Sequence, residues 1–464
     1  MDIKISFHGA AGNVTGSCYL LEANGMCIMV DCGLYQEHDL KGRNWENFPV
    51  SPMKLDAVVL THAHLDHCGR LPRLVSGGYR GPIYATSATT EIARIVMEDC
   101  GKINEEDAEF KRKRHEREGR KGPYQEEPLY TAEEAEEVSQ YFVPVDYGRP
   151  LEIGDGVSVE FIQVGHILGA ACCRISVTQG GETRRILFSG DVGRWDMPIL
   201  QDPAAAGPAD YLLVESTYGN RTHGETQSIP GELGRIINDT AERGGNLIIP
   251  SFAVERTQEL LYFLAQLNAE KRIPNLRIFV DSPMASRVNT VFVRHPYLFD
   301  SETIQLARVL KVSNVSIVRS SQESKALNHI RGSVIIISGS GMCTGGRIKH
   351  HLCQNIQRPE STVLFVGYQA ANTLGRQILD GKPQVRILGE TYDVQAKVER
   401  ISGFSAHADK GELLRWMGTL TTTPRKVFVT HGEPAAAKAL QEKIIDEKGW
   451  NAQVAHYKET VTLD

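Results

Sequence analysis

Three histidines and an aspartate lie within six residues in the sequence THAHLDHCGR, in a chain with fifteen histidines among 464 residues. They are His62, His64, Asp66 and His67. His62 and His64 are two residues apart in a segment that leaves a strand, so they share a face and can reach one ion. Asp66 and His67 begin the next helix and can face a second ion. The spacing predicts half of the ligands of a two-metal site.

The other ligands are expected at further strand ends. Three candidates directly follow apolar runs: His166 in QVGHILGA, Asp191 in LFSGDVGR and His431 in VFVTHGEP. A carboxylate such as Asp191 can bridge two ions. Asp31, which ends the run CIMVD, is expected to orient a ligand or a water from behind. The alternative for Asp31 is an ordinary strand-end aspartate that accepts hydrogen bonds from turn N–H groups.

Two cations in such a site lower the pKa of a shared water and stabilise charge that develops on an attacked phosphate. Imidazole-rich ligation favours zinc, and two zinc ions per chain are expected, although manganese or iron fits the same ligand types. The alternative for the histidine cluster is a helix cap with core histidines. That alternative is disfavoured because candidate ligands recur at several strand ends.

Composition is that of a globular protein, with 41% hydrophobic and 23% charged residues. No apolar stretch is long enough for a bilayer, and the N-terminal run MDIKISFHG has the pattern of a strand rather than a signal peptide. Nine cysteines without a C-x-x-C spacing predict reduced thiols and a cytoplasmic protein. The net charge of −6 argues against nucleic-acid binding over the whole surface, but not against a local basic channel.

Short strands and Gly-rich turns alternate in the first 100 residues, and a hairpin turn is predicted at residues 23–25. Strands are predicted at 3–7, 17–23, 26–31, 55–60, 157–163, 173–178 and 185–190. The charged segment 101–142 is predicted to be a solvated helical arm, with a capping box at Thr131 and Glu134. Contact of its basic run KRKRHEREGRK with a polyanion is the alternative.

From about residue 209, apolar strands alternate with helical segments, which indicates a parallel α/β sheet with ligands at the carboxyl ends of its strands. The predicted strands are YLLVES, GNLIIPS, LRIFVDS, GSVIIISGS and STVLFVGY. Residues 209–398 hold 21 Lys and Arg against 17 Asp and Glu, whereas the rest of the chain holds 30 against 40. The middle region is therefore the more cation-rich one.

The pattern His-x-His-x-Asp-His at residues 62–67 resembles the motif of the metallo-β-lactamase superfamily. In that resemblance, His166 matches a further ligand, Asp191 the bridging aspartate and Asp31 the aspartate of the first motif. Many hydrolases share this core, so the core alone does not choose the substrate.

Three later motifs resemble those of the β-CASP nucleases. LLVESTYGNR matches motif A with Glu215, GFSAHAD matches motif B with His407, and FVTHGE matches motif C with His431 as the last ligand. The SAHAD form is similar to the endonuclease of eukaryotic pre-mRNA 3′-end processing and its bacterial and archaeal relatives. The DNA-repair branch typically has valine at motif C, so His431 favours RNA over DNA.

The resemblance implies an α/β fold, namely an αββα metallo-β-lactamase sandwich from residues 1–208 and 399–464. A parallel-sheet β-CASP domain is inserted at 209–398. The implied activity is a metal-dependent ribonuclease that cuts single-stranded RNA in a cleft between the two domains, in RNA processing or decay. Endonuclease and 5′→3′ exonuclease action both stay open. A homodimer is compatible with the resemblance, and no membrane partner is expected.

Glu215 and His407 suggest a catalytic pair. A neighbouring carboxylate raises the pKa of a histidine, and the resulting imidazolium could protonate the ribose oxygen that leaves. Asp31 and Asp66 are expected to be the other catalytic carboxylates.

RNA contacts are expected from three loops at strand ends. In IIPSFAVERTQEL, Ser251 is predicted to cap a helix whose Arg256 offers a fork of donors to phosphate. Ordinary capping with an exposed arginine is the alternative. The loops SGSGMCTGGR and GYQAANTLGR are expected to approach RNA with their backbones and donors. Their candidate residues are Gly341, Gly345, Gly346, Arg347, Gln369, Asn372 and Arg376.

Two classes of alternative function remain. One is a hydrolase of DNA or of a small ester on the same core, which the inserted domain and the three later motifs disfavour. The other is a non-catalytic RNA-binding subunit, which the complete set of candidate ligands disfavours.

Overall fold

The computed structural model describes residues 1–37, 39–119, 126–223, 228–300, 314–330, 332–367, 369–370 and 372–464. The chain divides into two compact units. The first contains Met1–Trp195, Asp202–Thr222 and His407–Asp464, and the second contains Asp196–Gln201 and His223–Ala406. Within the described ranges, no helix has both the length and the apolar character that a membrane span needs.

Two seven-stranded sheets build the first unit. In spatial order, the first sheet contains Thr460–Leu463, Ile3–Phe7, Tyr19–Ala23, Met26–Val30, Ala57–Val59, Ile83–Thr86 and Phe142–Val145. The second contains Ala452–Val454, Lys426–Val429, Tyr211–Val214, Glu182–Phe188, Ala171–Gln179, Val157–Gln163 and Leu151–Gly154. Alternate residues of both sheets meet in one apolar core, where the ring centroids of Phe7 and Phe428 lie 5.3 Å apart.

Helices pack outside this two-sheet core. Those of the first unit are Leu65–Cys68, Leu71–Ser76, Ser87–Glu118, Ala132–Glu137, Lys410–Met417 and Pro434–Lys448. The long helix Ser87–Glu118 ends at Gly119, whose φ of 62° closes the helix in the left-handed conformation. The capping box of Thr131 and Glu134 is present, which confirms that part of the predicted arm. Residues 120–125 of the arm lie outside the described residues.

A parallel six-stranded sheet forms the centre of the second unit. Its spatial order is Val315–Ile317, Arg277–Asp281, Val334–Gly339, Leu247–Ser251, Thr362–Phe365 and Lys397–Arg400. Ile335 and Ile337 enter the apolar core on one face, and Ile336 enters the core on the other. The unit's described helices are Ile229–Glu242, Arg256–Ala269, Pro283–Arg294, Ser321–Ala326, Ile348–Asn355 and Leu374–Leu379. Both faces of the sheet are therefore covered, as is usual for parallel strands.

The structure confirms the α/β class, the sandwich and the additional parallel sheet. Asn24 and Gly25, both at positive φ, form the predicted hairpin turn. One predicted strand lies elsewhere: Tyr211–Val214 pairs with strands of the second sheet of the first unit. The second unit contains residues 196–201 and 223–406, whereas the sequence predicted an inserted domain at 209–398. Tyr368, in the predicted strand STVLFVGY, lies outside the described residues.

A buried carboxylate ties together several segments of the second unit. Asp281 ends its strand and accepts hydrogen bonds from Arg347 Nη1 and His351 Nε2, each at 2.6 Å, and from the hydroxyl of Ser324. Burial disfavours the carboxylate, but these donors outweigh it and lower the pKa of Asp281. The carboxylate therefore holds two helices and a loop at the end of the sheet.

The substitution Asp281→Ala should lower the free energy of unfolding by about 3 kcal/mol, because it leaves the histidine and the arginine without their carboxylate. Urea unfolding measures this loss. Asp380→Ala is the matched control, since it removes an exposed carboxylate that pairs with Arg376; its cost should stay below about 1 kcal/mol. Equal losses for the two variants would contradict the structural role of Asp281.

Candidate metal centre

Strand ends of the first unit carry the candidate ligands. His62 and His64 follow the strand Ala57–Val59, and Asp66 and His67 lie in the short helix after it. The other three follow strands of the second sheet: His166 after Val157–Gln163, Asp191 after Glu182–Phe188 and His431 after Lys426–Val429. Residues that are distant in sequence meet because both sheets direct these strand ends to one edge of the sandwich.

Four donor atoms converge in a first group. His64 Nδ1 lies 3.1 Å from His62 Nε2 and 3.1 Å from His166 Nε2. Asp191 Oδ2 lies 3.4 Å from His62 Nε2 and 3.5 Å from His166 Nε2. Three ring nitrogens and one carboxylate oxygen so arranged can hold one metal ion.

A second group shares the same aspartate. His67 Nε2 lies 3.2 Å from His431 Nε2, which in turn lies 3.5 Å from Asp66 Oδ2. Asp191 Oδ2 lies 3.4 Å from His67 Nε2, and its Oδ1 lies 3.4 Å from His431 Nδ1. The carboxylate of Asp191 thus faces both groups, as a bridging ligand must.

The environment of Asp191 fits a metal centre. Both of its carboxylate oxygens are buried, and neither accepts a hydrogen bond from any residue of the described ranges. A buried carboxylate without donors is costly unless cations lie beside it. The nitrogen-rich donor set around it is typical of zinc ligation.

The pKa values of the cluster favour ligation. Burial lowers the pKa of His62 to about 3 and that of His64 to about 4, so both rings are neutral at pH 7 and can offer lone pairs. Burial disfavours the carboxylate of Asp191, but the surrounding histidines hold its pKa well below the usual range. His67 differs: against the effect of burial, Asp191 and Asp31 raise its pKa. The electrostatic potential at the His67 ring therefore favours its protonated, positively charged form.

Asp31 and Thr61 orient the rings from behind. Asp31 Oδ2 accepts a hydrogen bond from His67 Nδ1 at 2.7 Å, which directs Nε2 of that ring into the second group. The hydroxyl of Thr61 donates to the same carboxylate at 2.9 Å and lies 3.1 Å from His62 Nδ1. Asp31 lies behind a candidate ligand, as expected. Thr61 was not identified, although it directly precedes the histidines.

Two further residues that shape the centre were not identified from the sequence. The hydroxyl of Thr217 lies 3.1 Å from His431 Nδ1 and donates to the carbonyl oxygen of the same residue at 3.2 Å. A Cβ on Gly193 would lie 2.2 Å from the backbone of Gly165, so only glycine lets the loops of Asp191 and His166 approach this closely. Thr217 lies in the motif LLVESTYGNR, whose sequence signal pointed only to its glutamate.

Glu215 and His407 lie beside the shared aspartate. His407 Nδ1 lies 3.1 Å from Glu215 Oε2 and 3.8 Å from Asp191 Oδ2. Glu215 is fully buried, and its Oε1 also accepts the N–H of Val192 at 2.7 Å, whereas 16% of the His407 side chain is exposed. Burial opposes the imidazolium, but the charges of Glu215 and Asp191 outweigh it and raise the pKa of His407 to about 9.

In the second unit, Ser251 and Arg256 do not lie as predicted. The N-cap of the helix that begins at Arg256 is Glu255, and the buried Ser251 hydroxyl donates to a backbone carbonyl instead. The predicted N-cap is therefore wrong. The guanidinium of Arg256 is buried, forms an ion pair with Glu259 and lies over the ring of Phe404. These contacts give Arg256 a structural role instead of the predicted phosphate contact.

Arg347 is likewise engaged within the unit. Its guanidinium donates to the carboxylate of Asp281 and to the backbone carbonyls of Val318 and Arg319. The predicted contact of this side chain with RNA conflicts with that arrangement, because the charge already has a buried partner.

The remaining candidates lie in two adjoining loops. Gly341 packs against the ring of Phe252, where an added Cβ would lie 2.6 Å from the ring, and its carbonyl accepts Gln369 Nε2 at 2.9 Å. The N–H of Gly345 donates to the Ser340 hydroxyl, and Gly346 has a φ of 71°. Asn372 is exposed at positive φ, and Arg376 pairs with Asp380. Ala371, in the same loop, lies outside the described residues.

Three family models match the chain. The metallo-beta-lactamase superfamily matches residues 11–86, and the Beta-Casp domain matches residues 257–378. The Zn-dependent metallo-hydrolase RNA specificity domain matches residues 391–455.

Relatives match along nearly the whole chain. Ribonuclease TTHA0252 of Thermus thermophilus is 39% identical over 99% of this chain and 100% of its own length. The transcription termination factor FttA of Methanocaldococcus jannaschii is 29% identical over 93% of this chain and 67% of its own length. A crystal structure of a protein of unknown function from Enterococcus faecalis V583 covers 100% of both chains with a TM-score of 0.50 and 13% identity, a likeness of fold. The chain therefore belongs to the β-CASP branch of the metallo-β-lactamase superfamily, a superfamily of metal-dependent hydrolases.

Proposed function

We propose that the chain is a two-metal ribonuclease that hydrolyses phosphodiester bonds of single-stranded RNA. The observation that carries the proposal is Asp191, a buried carboxylate without hydrogen-bond donors between two groups of converging ligands. Two comparisons support RNA as the substrate. One matching family is described as an RNA specificity domain, and the Thermus thermophilus relative is named a ribonuclease.

In this proposal one ion would be held by His62, His64, His166 and Asp191. The other would be held by Asp66, His67 and His431, with Asp191 beside them. Zinc suits these ligands best, and manganese or iron remains compatible. When bound, such ions supply Lewis acidity at a phosphoryl oxygen and lower the pKa of water. Nine free thiols, seven of them buried, support a reducing compartment such as the cytoplasm.

His407 supplies the proton for the leaving oxygen. Glu215 accepts the hydrogen bond from Nδ1 of His407, so the Nε2–H of the imidazolium acts as the proton donor. It donates this proton to the ribose oxygen as the bond between that oxygen and phosphorus breaks. Glu215 is buried and bonded to the Val192 N–H, so it acts by orienting and charging the ring. Asp31 anchors the ring of His67, and Asp66 serves as a ligand of the second group.

Product mapping tests the proposal. One single-stranded RNA labelled at either end is compared with DNA of identical sequence, with and without a chelator. Chelator-sensitive cleavage of RNA alone is expected, and the products separate internal cuts from stepwise trimming from the 5′ end. Cleavage of DNA alone, or of neither polymer by protein that holds two metal equivalents, would overturn the assignment in favour of another hydrolase. Binding of RNA without cleavage by protein that takes up no metal when metal is supplied would favour a non-catalytic subunit.

Asp191→Ala should reduce kcat by at least about 10³-fold, because it removes the ligand that both groups share. Metal content measured by elemental analysis should fall in parallel. Asp210→Ala is the control, since this half-buried carboxylate of the same unit pairs with Arg185 instead. Wild-type turnover by Asp191→Ala protein with a full metal content would contradict the bridging role.

His407→Ala should keep both metal ions and lose about 10²- to 10⁴-fold in the rate of RNA cleavage, as expected for loss of a general acid. A 4-nitrophenyl phosphodiester tests the role directly, because its leaving group needs no proton. The loss on that substrate should be much smaller than on RNA. Equal losses on the two substrates would exclude proton donation, and loss of metal would make His407 a ligand.

Thr217→Val should weaken metal binding by about 10- to 100-fold, the usual effect of removing a group that orients a ligand. The hydroxyl is the closest acceptor for a proton on His431 Nδ1, at 3.1 Å, so without it Nε2 is less firmly committed to ligation. Competition with a chromophoric chelator measures the affinity. Thr217→Ser keeps the hydroxyl and should behave as wild type; identical affinities for the valine and serine variants would contradict this role.

A further inference from the structure

A cluster of arginines and aromatic rings on the first unit has no part in the metal centre. It is built on the segment Lys41–Trp45, a 3₁₀ helix, and on Arg70 and Arg73, which follow the helix of His67. Tyr457 completes it from the far end of the chain. We call Tyr35, Arg43, Trp45, Arg73 and Tyr457 the arginine–aromatic patch.

Each guanidinium of this region stacks on a ring. The Cζ of Arg43 lies 3.9 Å from the ring centroid of Tyr457 and 5.5 Å from that of Tyr35. The Cζ of Arg73 lies 5.5 Å from the ring centroid of Trp45. The buried Arg70 lies beneath, 5.4 Å from the ring centroid of Tyr35. A guanidinium that stacks on a ring keeps its in-plane N–H groups available for hydrogen bonds. One N–H of Arg73 donates to the Asn44 carbonyl, and one of Arg70 donates to the Arg43 carbonyl at 3.4 Å. The remaining N–H groups of Arg43 and Arg73 can meet phosphate.

The charges of these arginines are not neutralised by ion pairs. Among the described residues, no carboxylate lies within ion-pair distance of Arg43, Arg70 or Arg73. Burial lowers the pKa of Arg73, and the positive charge of Arg70 lowers it further. The charge of Glu134 opposes this effect, but only from beyond ion-pair distance. Cations held close together without a paired carboxylate create a positive potential that attracts anions.

The surface also offers a ring for stacking. Trp45 is 43% exposed, although tryptophan is seldom left so open, and Lys458 adds an exposed ammonium 5.1 Å from the ring centroid of Tyr457. The local backbone is held rigid, because Asn44 accepts the N–H of Tyr35 and donates to its carbonyl, each at 2.8 Å. A preorganised ring beside cations is the arrangement that binds single-stranded nucleic acid.

The patch is joined directly to the metal centre. The Arg70 N–H donates to the Cys32 carbonyl at 2.9 Å, and the Cys32 N–H donates to the His67 carbonyl at 2.7 Å. Arg70 follows His67 by three residues, so their Cα atoms are at most about 11 Å apart. The base of the patch thus lies close to the metal centre, and a few nucleotides of RNA are long enough to span the separation.

We propose that the arginine–aromatic patch binds single-stranded RNA outside the scissile bond, with Trp45 stacking on a base and Arg43 and Arg73 contacting phosphates. This inference rests on the proposed ribonuclease activity and adds where the substrate strand runs. It predicts that kcat/KM rises with RNA length, because a short substrate does not reach the patch.

The test compares kcat/KM for an RNA of about 16 nucleotides, the upper range of a single-stranded site, with kcat/KM for bis(4-nitrophenyl) phosphate. Trp45→Ala should lower the ratio of the RNA value to the bis(4-nitrophenyl) phosphate value about tenfold, because KM for the RNA rises. Trp45→Phe keeps a ring and should retain most of the wild-type ratio. Arg43→Ala should also lower the ratio and reduce the salt dependence of RNA binding by about one ion.

Two control variants lie elsewhere on the same unit. Phe110→Ala removes another exposed ring, 60% exposed, and Arg149→Ala removes another exposed arginine. Both should leave the ratio within twofold of wild type. Circular dichroism establishes that each variant is folded.

The outcomes separate the two proposals. If the wild type cleaves neither substrate, the ribonuclease assignment fails. If the wild type cleaves both and the patch variants match the controls, only the patch inference fails. It also fails if Trp45→Ala lowers both values of kcat/KM equally, which would indicate a structural role, or if Trp45→Phe is no better than Trp45→Ala.

Discussion

A buried carboxylate that accepts no hydrogen bond from the described residues is the constraint on which the first unit depends. Asp191 lies where strand ends of both sheets converge, with ring nitrogens of four histidines within 3.5 Å of its oxygens. In water such a group would be solvated, and inside a protein its charge must be balanced by cations. The fold thus creates a position of strongly negative potential and surrounds it with histidine ring nitrogens, of which those of His62 and His64 are neutral at pH 7. Such a site suits a divalent metal ion.

The residues behind the ligands make this arrangement specific. Asp31 and Thr61 determine which nitrogens of His67 and His62 face inward, and Thr217 does the same for His431. The approach of the two loops at Gly193 brings Asp191 and its neighbours within reach of the histidines. Asp31, Thr61 and Thr217 thus orient the rings from outside the two groups of candidate ligands, so ring orientation can be varied without removing a ligand.

Much of this could be predicted from the sequence, because ligand spacing after apolar strands is a local signal. The pattern at residues 62–67, and the strand-end positions of His166, Asp191 and His431, were sufficient to assemble the candidate ligands. The strand Tyr211–Val214 was predicted but assigned to the inserted domain, since a local pattern does not show which sheet a strand joins. Arg256 was expected at phosphate although Glu259, three residues later, is within reach on the same helix. Arg347 was expected there because its partner Asp281 is distant in sequence. The arginine–aromatic patch escaped notice for the same reason, since its members are far apart in sequence and meet only in the folded unit.

We propose two metal positions, one on either side of Asp191. Anomalous diffraction from crystals of the zinc-loaded protein, measured on both sides of the zinc absorption edge, tests this proposal most directly. We expect two peaks flanking Asp191, one among His62, His64 and His166 and the other among Asp66, His67 and His431. A single peak, or zinc bound only at other residues, would contradict it.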